Sequence, residues 1–193
     1  TLRMRFNPEA ASEDTALIDE GADPRQLGLF AAAWTIAHAA GLLSEHVHRV
    51  AMHAPFGTAG LLDSAGMQLP SWLSRAIQSP SPSAVFPAFF AVQAVCAACC
   101  RQAQPLALAH PGSGSVGVVG MRLEGSGPRY LIATTSPVQQ PLPDALREQS
   151  LSWTILDADS LLSATGSPGS FWLSASRSTA DQLGAFGVAL GWN

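Results

Sequence analysis

Few side chains in this sequence are suited to chemistry, and they stand far apart. His53 is the best placed to move a proton, because an unperturbed imidazole titrates near neutrality and could take a proton from a water attacking a carbonyl. It could equally be a core histidine whose nitrogens are satisfied. Asn7, just before Pro8, could hydrogen-bond the hydroxyls of a ligand or simply open a turn. Arg25 could clamp a carboxylate through its guanidinium fork, or pair with the acids of the segment before it. Asp23 joins Arg25 as a candidate binding residue, although its simplest role is to cap the helix that follows.

Cys96, Cys99 and Cys100 are the only cysteines, and they fall together in the Ala-rich run FFAVQAVCAACCRQ. Three in one helix make no disulfide framework. As thiolates they could hold a metal, but no His or carboxylate stands near them in sequence to complete the ligand set. The expectation is therefore that they pack as small apolar side chains in a reducing compartment, the cytoplasm. No cofactor is expected. The sequence has no HExxH or P-loop motif, and the run GSGSVG at 112–117 does not fit a serine nucleophile elbow and reads as a hairpin loop.

The bulk composition narrows the partners. Residues are 47% hydrophobic and only 12% charged, with a net charge of -4, which suits a globular chain with a substantial core. All ten basic residues are Arg, and they are scattered singly, so no basic stripe exists for nucleic acid. No uninterrupted apolar span is long enough to cross a membrane, and no leader peptide is visible. Thr1 opens directly in strand-like sequence, which reads as the start of a fragment or a processed product.

The elements that must position these residues follow from hydrophobic period. Residues 1–6 alternate and stop at Pro8, as a strand does. Residues 9–22 are acidic with little periodicity, a long loop. From 25 to 43, apolar residues recur at three- and four-residue steps, giving a helix started by Asp23-Pro24. Val47, Val50, Ala51 and Met52 form a short apolar run, read as a strand over 49–54 buried on both faces of a parallel sheet. A Gly-, Pro- and Ser-rich connection over 55–85, with a short helix near 71–77, leads to a helix over 86–104 ended by Pro105. Beyond it lie β-type runs, PLALA, SVGVVGMRL, RYLIATTS, LSWTILD, SFWLSAS and GVALGW, separated by Gly-rich turns.

The order strand, helix, strand, helix, then antiparallel strands is how many sugar-processing (β/α)8 barrels finish. The expected fold class is α/β plus all-β: the last two βα units of such a barrel over 1–104, followed by an antiparallel β-sandwich over 105–193. Two strands cannot close an eight-stranded barrel. In barrels the strand ends face the chemistry, and this selects Asn7 and His53.

Several segments carry a resemblance. TLRMRFNP, ADPRQLGLFAAAWTIAHAAGLLSE, VHRVAMHAPFGTAGLL and VFPAFFAVQAV resemble the C-terminal part of the D-apionate lactonase family, from residue 1 to about 95 and more loosely beyond. The more specific parts are D-P-R-Q before the helix and F-N-P after the first strand. The resemblance implies an enzyme that opens a sugar lactone to a sugar acid. Its partners would be that lactone or acid, and either the remaining barrel segment or a second copy, with no nucleic acid and no membrane. At the last barrel strand the family pattern has two Tyr and a Glu followed by T-T-G. Here those positions read Met52, His53, Ala54, Pro55, Phe56 and Gly57, so the acid is replaced. The resemblance thus implies weakened or altered activity, and none at an enzymatic rate from these 193 residues alone.

Two other functions compete. A noncatalytic accessory module could contact glycan through Trp153, Trp172 and Trp192, which alternate with apolar neighbours and fit a core better. A barrel glycosidase would need two carboxylates across the scissile bond, and neither strand end carries one.

Overall fold

The computed structural model describes residues 25, 28–43, 47, 50, 52–57, 60–62, 85–99, 103–106, 117–124, 129–149, 151–166, 168–174 and 181–192. Its centre is helix α1, Leu29–Leu43, which carries no acidic residue in its first turn and no basic residue in its last. Ala31, Ala32, Ala33, Ile36, Ala39 and Ala40 are all buried, and they spread around the cylinder. A helix apolar on every side must be covered on more than one side. One side of α1 rests on the central sheet and another packs against helix α2, Pro87–Cys99. Alanine lets both neighbours approach closely. Pro87 stands first in α2, where its missing N–H costs nothing.

The sheet is antiparallel. Its strands are β3 (Ala103–Pro105), β4 (Val118–Leu123), β5 (Arg129–Thr134), β7 (Ser152–Leu156) and β9 (Val188–Trp192), in the spatial order β3-β4-β5-β9-β7. Successive side chains of a strand point to opposite faces. Met121, Leu131, Ala133, Leu156 and Val188 therefore meet α1 and α2 in one cluster with Ile36, Phe90 and Ala94. Val118, Tyr130, Ile132, Trp153 and Ala189 face the other way, where Leu142, Leu146, Leu151 and Leu183 cover them. Leu146 comes from the short helix α3, Asp144–Arg147, and Leu183 from β8 (Gln182–Leu183), which pairs with β6 (Gln140–Pro141). Two short helices, α4 (Leu161–Gly166) and α5 (Phe171–Ser174), connect β7 to β8. The larger cluster joins residues on both sides of position 104.

Several expectations are corrected. The run Val47 to Met52 is no doubly buried strand: Val47 and Val50 are 44% and 42% exposed, and the strand is β1, Ala54–Phe56, with all three residues exposed. Burial would require strands on both flanks. Among the described residues β1 has one neighbour, β2 (Gly60–Leu62), paired in parallel as Ala54↔Gly60 and Phe56↔Leu62. Parallel strands ordinarily need a crossover of a dozen residues. Here Gly57, at φ 87°, makes the sharp turn, and the Gly57 amide donates to the Leu62 carbonyl at 3.1 Å. A side chain at Gly60 would collide with the Phe56 backbone, so the return strand can only begin with glycine.

The helix expected over 86–104 ends at Cys99, and Gln104 and Pro105 belong to β3. Pro105 is accommodated because, among the described residues, β3 stands at the edge of the sheet. The run SFWLSAS, expected as a strand, begins with helix α5, since Phe171 packs edge-on against Phe90 at 5.2 Å and tertiary contact overrides the β-type pattern. The sheet is covered chiefly by α1, with Phe90 of α2 in the same cluster. The expected strand at 1–6, the loop at 9–22 and the short helix near 71–77 lie outside the described residues.

Candidate functional site

The site begins with a hydroxyl in the middle of α1. Thr35 is fully buried, and its Oγ1 lies 2.7 Å from the Ala31 carbonyl oxygen one turn back. The same Oγ1 lies 2.8 Å from Nε2 of His53, just ahead of β1. Helix and strand thus fix the imidazole together. Burial lowers the His53 pKa to about 4, because a half-buried ring loses the water that would solvate its charged form. At neutral pH the ring is uncharged.

His53 also borders a cavity of about 380 Å³. Its lining is apolar, with Leu42, Leu43, Met52, Val92, Val95 and Met121 among its walls, and His53 and Cys96 as the polar side chains. The part of α1 that reaches it is the C-terminal end, Ala39, Leu42 and Leu43. In a βα barrel that end of a helix lies on the face opposite the chemistry. Both its polarity and its position make the cavity a poor seat for a sugar.

Arg25 lies at the other end of α1, exposed, with its guanidinium carbon 5.8 Å from the centre of the Phe30 ring. Phe30 in turn meets Phe186 edge-on at 5.4 Å. The aromatic contact holds Arg25 at the helix entrance. Thr35 follows the start of the helix by about 9 Å of rise, so the structure does not bring Arg25 and His53 to one point. Asn7 and Asp23 lie outside the described residues.

The other candidates fall into place around this frame. His38 is exposed and stacks on Trp34, with centroids 4.8 Å apart. Cys96 is exposed on α2, which corrects the expectation that it is buried, while the Cys99 side chain and Cys100 lie outside the described residues. Among the described residues, no three His, Cys, Asp or Glu side chains converge as a metal site would require. Trp153 is buried, and the Trp172 indole N–H donates to the Phe90 carbonyl at 3.2 Å, so neither stands out as a glycan platform. No helix among the described residues is long and apolar enough to cross a membrane.

Thr35 was missed in the sequence. Its signal was there: a hydroxyl within the otherwise apolar LFAAAWTIAHAAGLL either bonds back to its own helix or meets a partner.

Comparison with known proteins finds a family for the first half of the chain. Residues 1–99, just over half of the 193, match the TIM barrel domain of D-apionate lactonase. That span includes α1, β1, β2 and α2, and with them Thr35 and His53. No curated protein and no solved structure matches the chain. On the family match, which spans the helix, the strand pair and the histidine they position, the chain belongs to the D-apionate lactonase family.

Proposed function

We propose that the chain supplies the closing strand and helix units of an enzyme that opens a sugar lactone to a sugar acid, with His53 as the base. The family match carries this reading. An imidazole held at about pKa 4 is unprotonated at neutral pH, and it is a weaker base there than an ordinary histidine. In the reaction the water oxygen bonds to the lactone carbonyl carbon as the imidazole takes a water proton. Collapse of the tetrahedral species breaks the ring C–O bond, and the proton passes to the departing alkoxide. One water is consumed, and a hydroxyl and a carboxyl group result.

Arg25, at the opposite end of α1 from the cavity that His53 borders, is given no part in the step at His53. Asn7 and Asp23 would hydrogen-bond the sugar hydroxyls. Ala54 stands where the family pattern has Glu, so the carboxylate and the donors for the developing oxyanion must come from other strand ends. The setting is the cytoplasm, where clustered thiols stay reduced.

The test is acid release from sugar lactones, followed by pH-stat. The 193-residue chain alone is expected to match the buffer rate. Fused to strands that complete a barrel, it should turn over, and His53→Ala should lower kcat by roughly 10²-fold or more. Turnover by the chain alone, or a completed barrel indifferent to His53→Ala, would show that the chemistry lies elsewhere.

A further inference from the structure

The geometry points to Thr35 as the residue that fixes the tautomer of His53, holding the hydrogen on Nε2 and leaving Nδ1 as the basic nitrogen. A threonine hydroxyl has one hydrogen and two lone pairs. Its oxygen lies 2.7 Å from the Ala31 carbonyl oxygen, the length of an O–H···O hydrogen bond. Two oxygens that close with no hydrogen between them would repel, so the hydroxyl hydrogen is committed to Ala31. What Oγ1 then turns to His53 is a lone pair, and Nε2 at 2.8 Å must donate. A neutral imidazole has only one N–H. With that hydrogen on Nε2, the lone pair sits on Nδ1.

The arrangement is rigid. Thr35 is fully buried in a helix packed on two sides, and its β-branched side chain has few rotamers there. The hydroxyl cannot swing to offer its hydrogen to the imidazole without abandoning Ala31. Thr35 is thus a positioning residue, and its catalytic meaning rests on the reading of His53 as the base.

The experiment is a long-range proton–nitrogen NMR correlation on the 15N-labelled 193-residue chain at neutral pH, with His53→Gln used to assign the ring. The expected spectrum shows a pyrrole-like Nε2 and a pyridine-like Nδ1 for His53. Thr35→Val, of nearly the same volume, should lower the preference for that tautomer about tenfold, the equivalent of one neutral hydrogen bond. Thr35→Ser should restore it, with circular dichroism reporting on folding in each case. A hydrogen on Nδ1 in the wild-type protein overturns the proposal whatever the variants do, as does a tautomer preference that Thr35→Val leaves unchanged. If instead the expected tautomer is found but His53→Ala leaves lactone turnover intact in a completed barrel, the positioning stands and the catalytic reading fails.

Discussion

The Trp153 indole covers the face of Gly191, its register partner on the neighbouring strand, so closely that a Cβ at position 191 would fall among the ring atoms. A wide aromatic and a residue without a side chain fill one layer between them. Gly191→Ala should therefore force Trp153 out of place and destabilise the fold by about 1–3 kcal/mol. Urea unfolding followed by tryptophan fluorescence measures this, and a midpoint equal to wild type would mean that the indole moves aside freely.

Phe90 is fully buried between the edge contacts of Phe89 and Phe171, where α2, α5 and the main cluster meet. Phe90→Ala should cost about 3–5 kcal/mol, because the surrounding rings cannot collapse into the space. Val138, 61% exposed, is the control, and its alanine variant should lie within about 0.5 kcal/mol of wild type. Similar losses at the two positions would contradict the core assignment.

The lowered pKa of His53 makes a pH-dependent contribution to stability whose sign can be worked out. The ring takes up a proton near 6.5 when unfolded and near 4 when folded, so acid favours the unfolded chain. Stability from this group is complete above about pH 6.5 and falls as the pH drops towards 4. Allowing for solvent around the half-exposed ring, roughly 1 kcal/mol is at stake. His53→Gln should flatten the difference in urea midpoint between pH 7 and pH 4.5 by about that much. Parallel pH curves for the two proteins would show that the histidine titrates normally.

Val47, Val50 and Phe56 are exposed around β1, with Phe56 at 61%. A strand open to solvent on both faces and bearing large apolar side chains invites association. The chain should sediment as more than a monomer at micromolar concentration and bind hydrophobic dyes, and Val50→Ser with Phe56→Ser should reduce both. A dilute monomer without dye binding would mean that this surface is already covered.

The helix at 29–43 was legible because alanine and aromatic spacing is a local property. So were the strands around 118–123, 129–134, 152–156 and 188–192, whose β-branched residues are bracketed by turn residues. Val47 and Val50 misled for the complementary reason. An apolar run states that burial is wanted, and only neighbouring strands can provide it. Pro105 looked like a helix terminator, yet serves in an edge strand, a distinction that depends on sheet order. Of the candidate site, His53 could be singled out from its residue type, but not from its place: it precedes β1 instead of ending a strand over 49–54. Its partner Thr35 is 18 positions away, and nothing local to either residue states that helix and strand will bring them together.

Helix α1 lies between α2 and a sheet whose strand β9 comes near the end of the chain. During synthesis the helix leaves the ribosome roughly 7–30 s before residues 188–192 do, at ordinary rates of elongation. For that interval its alanine-rich flanks have α2 to lean on but not the finished sheet. The nascent chain therefore has a window in which a chaperone that grips apolar helices would compete with its own strands, and slowing translation between positions 99 and 188 should widen that window and lower the yield of folded protein.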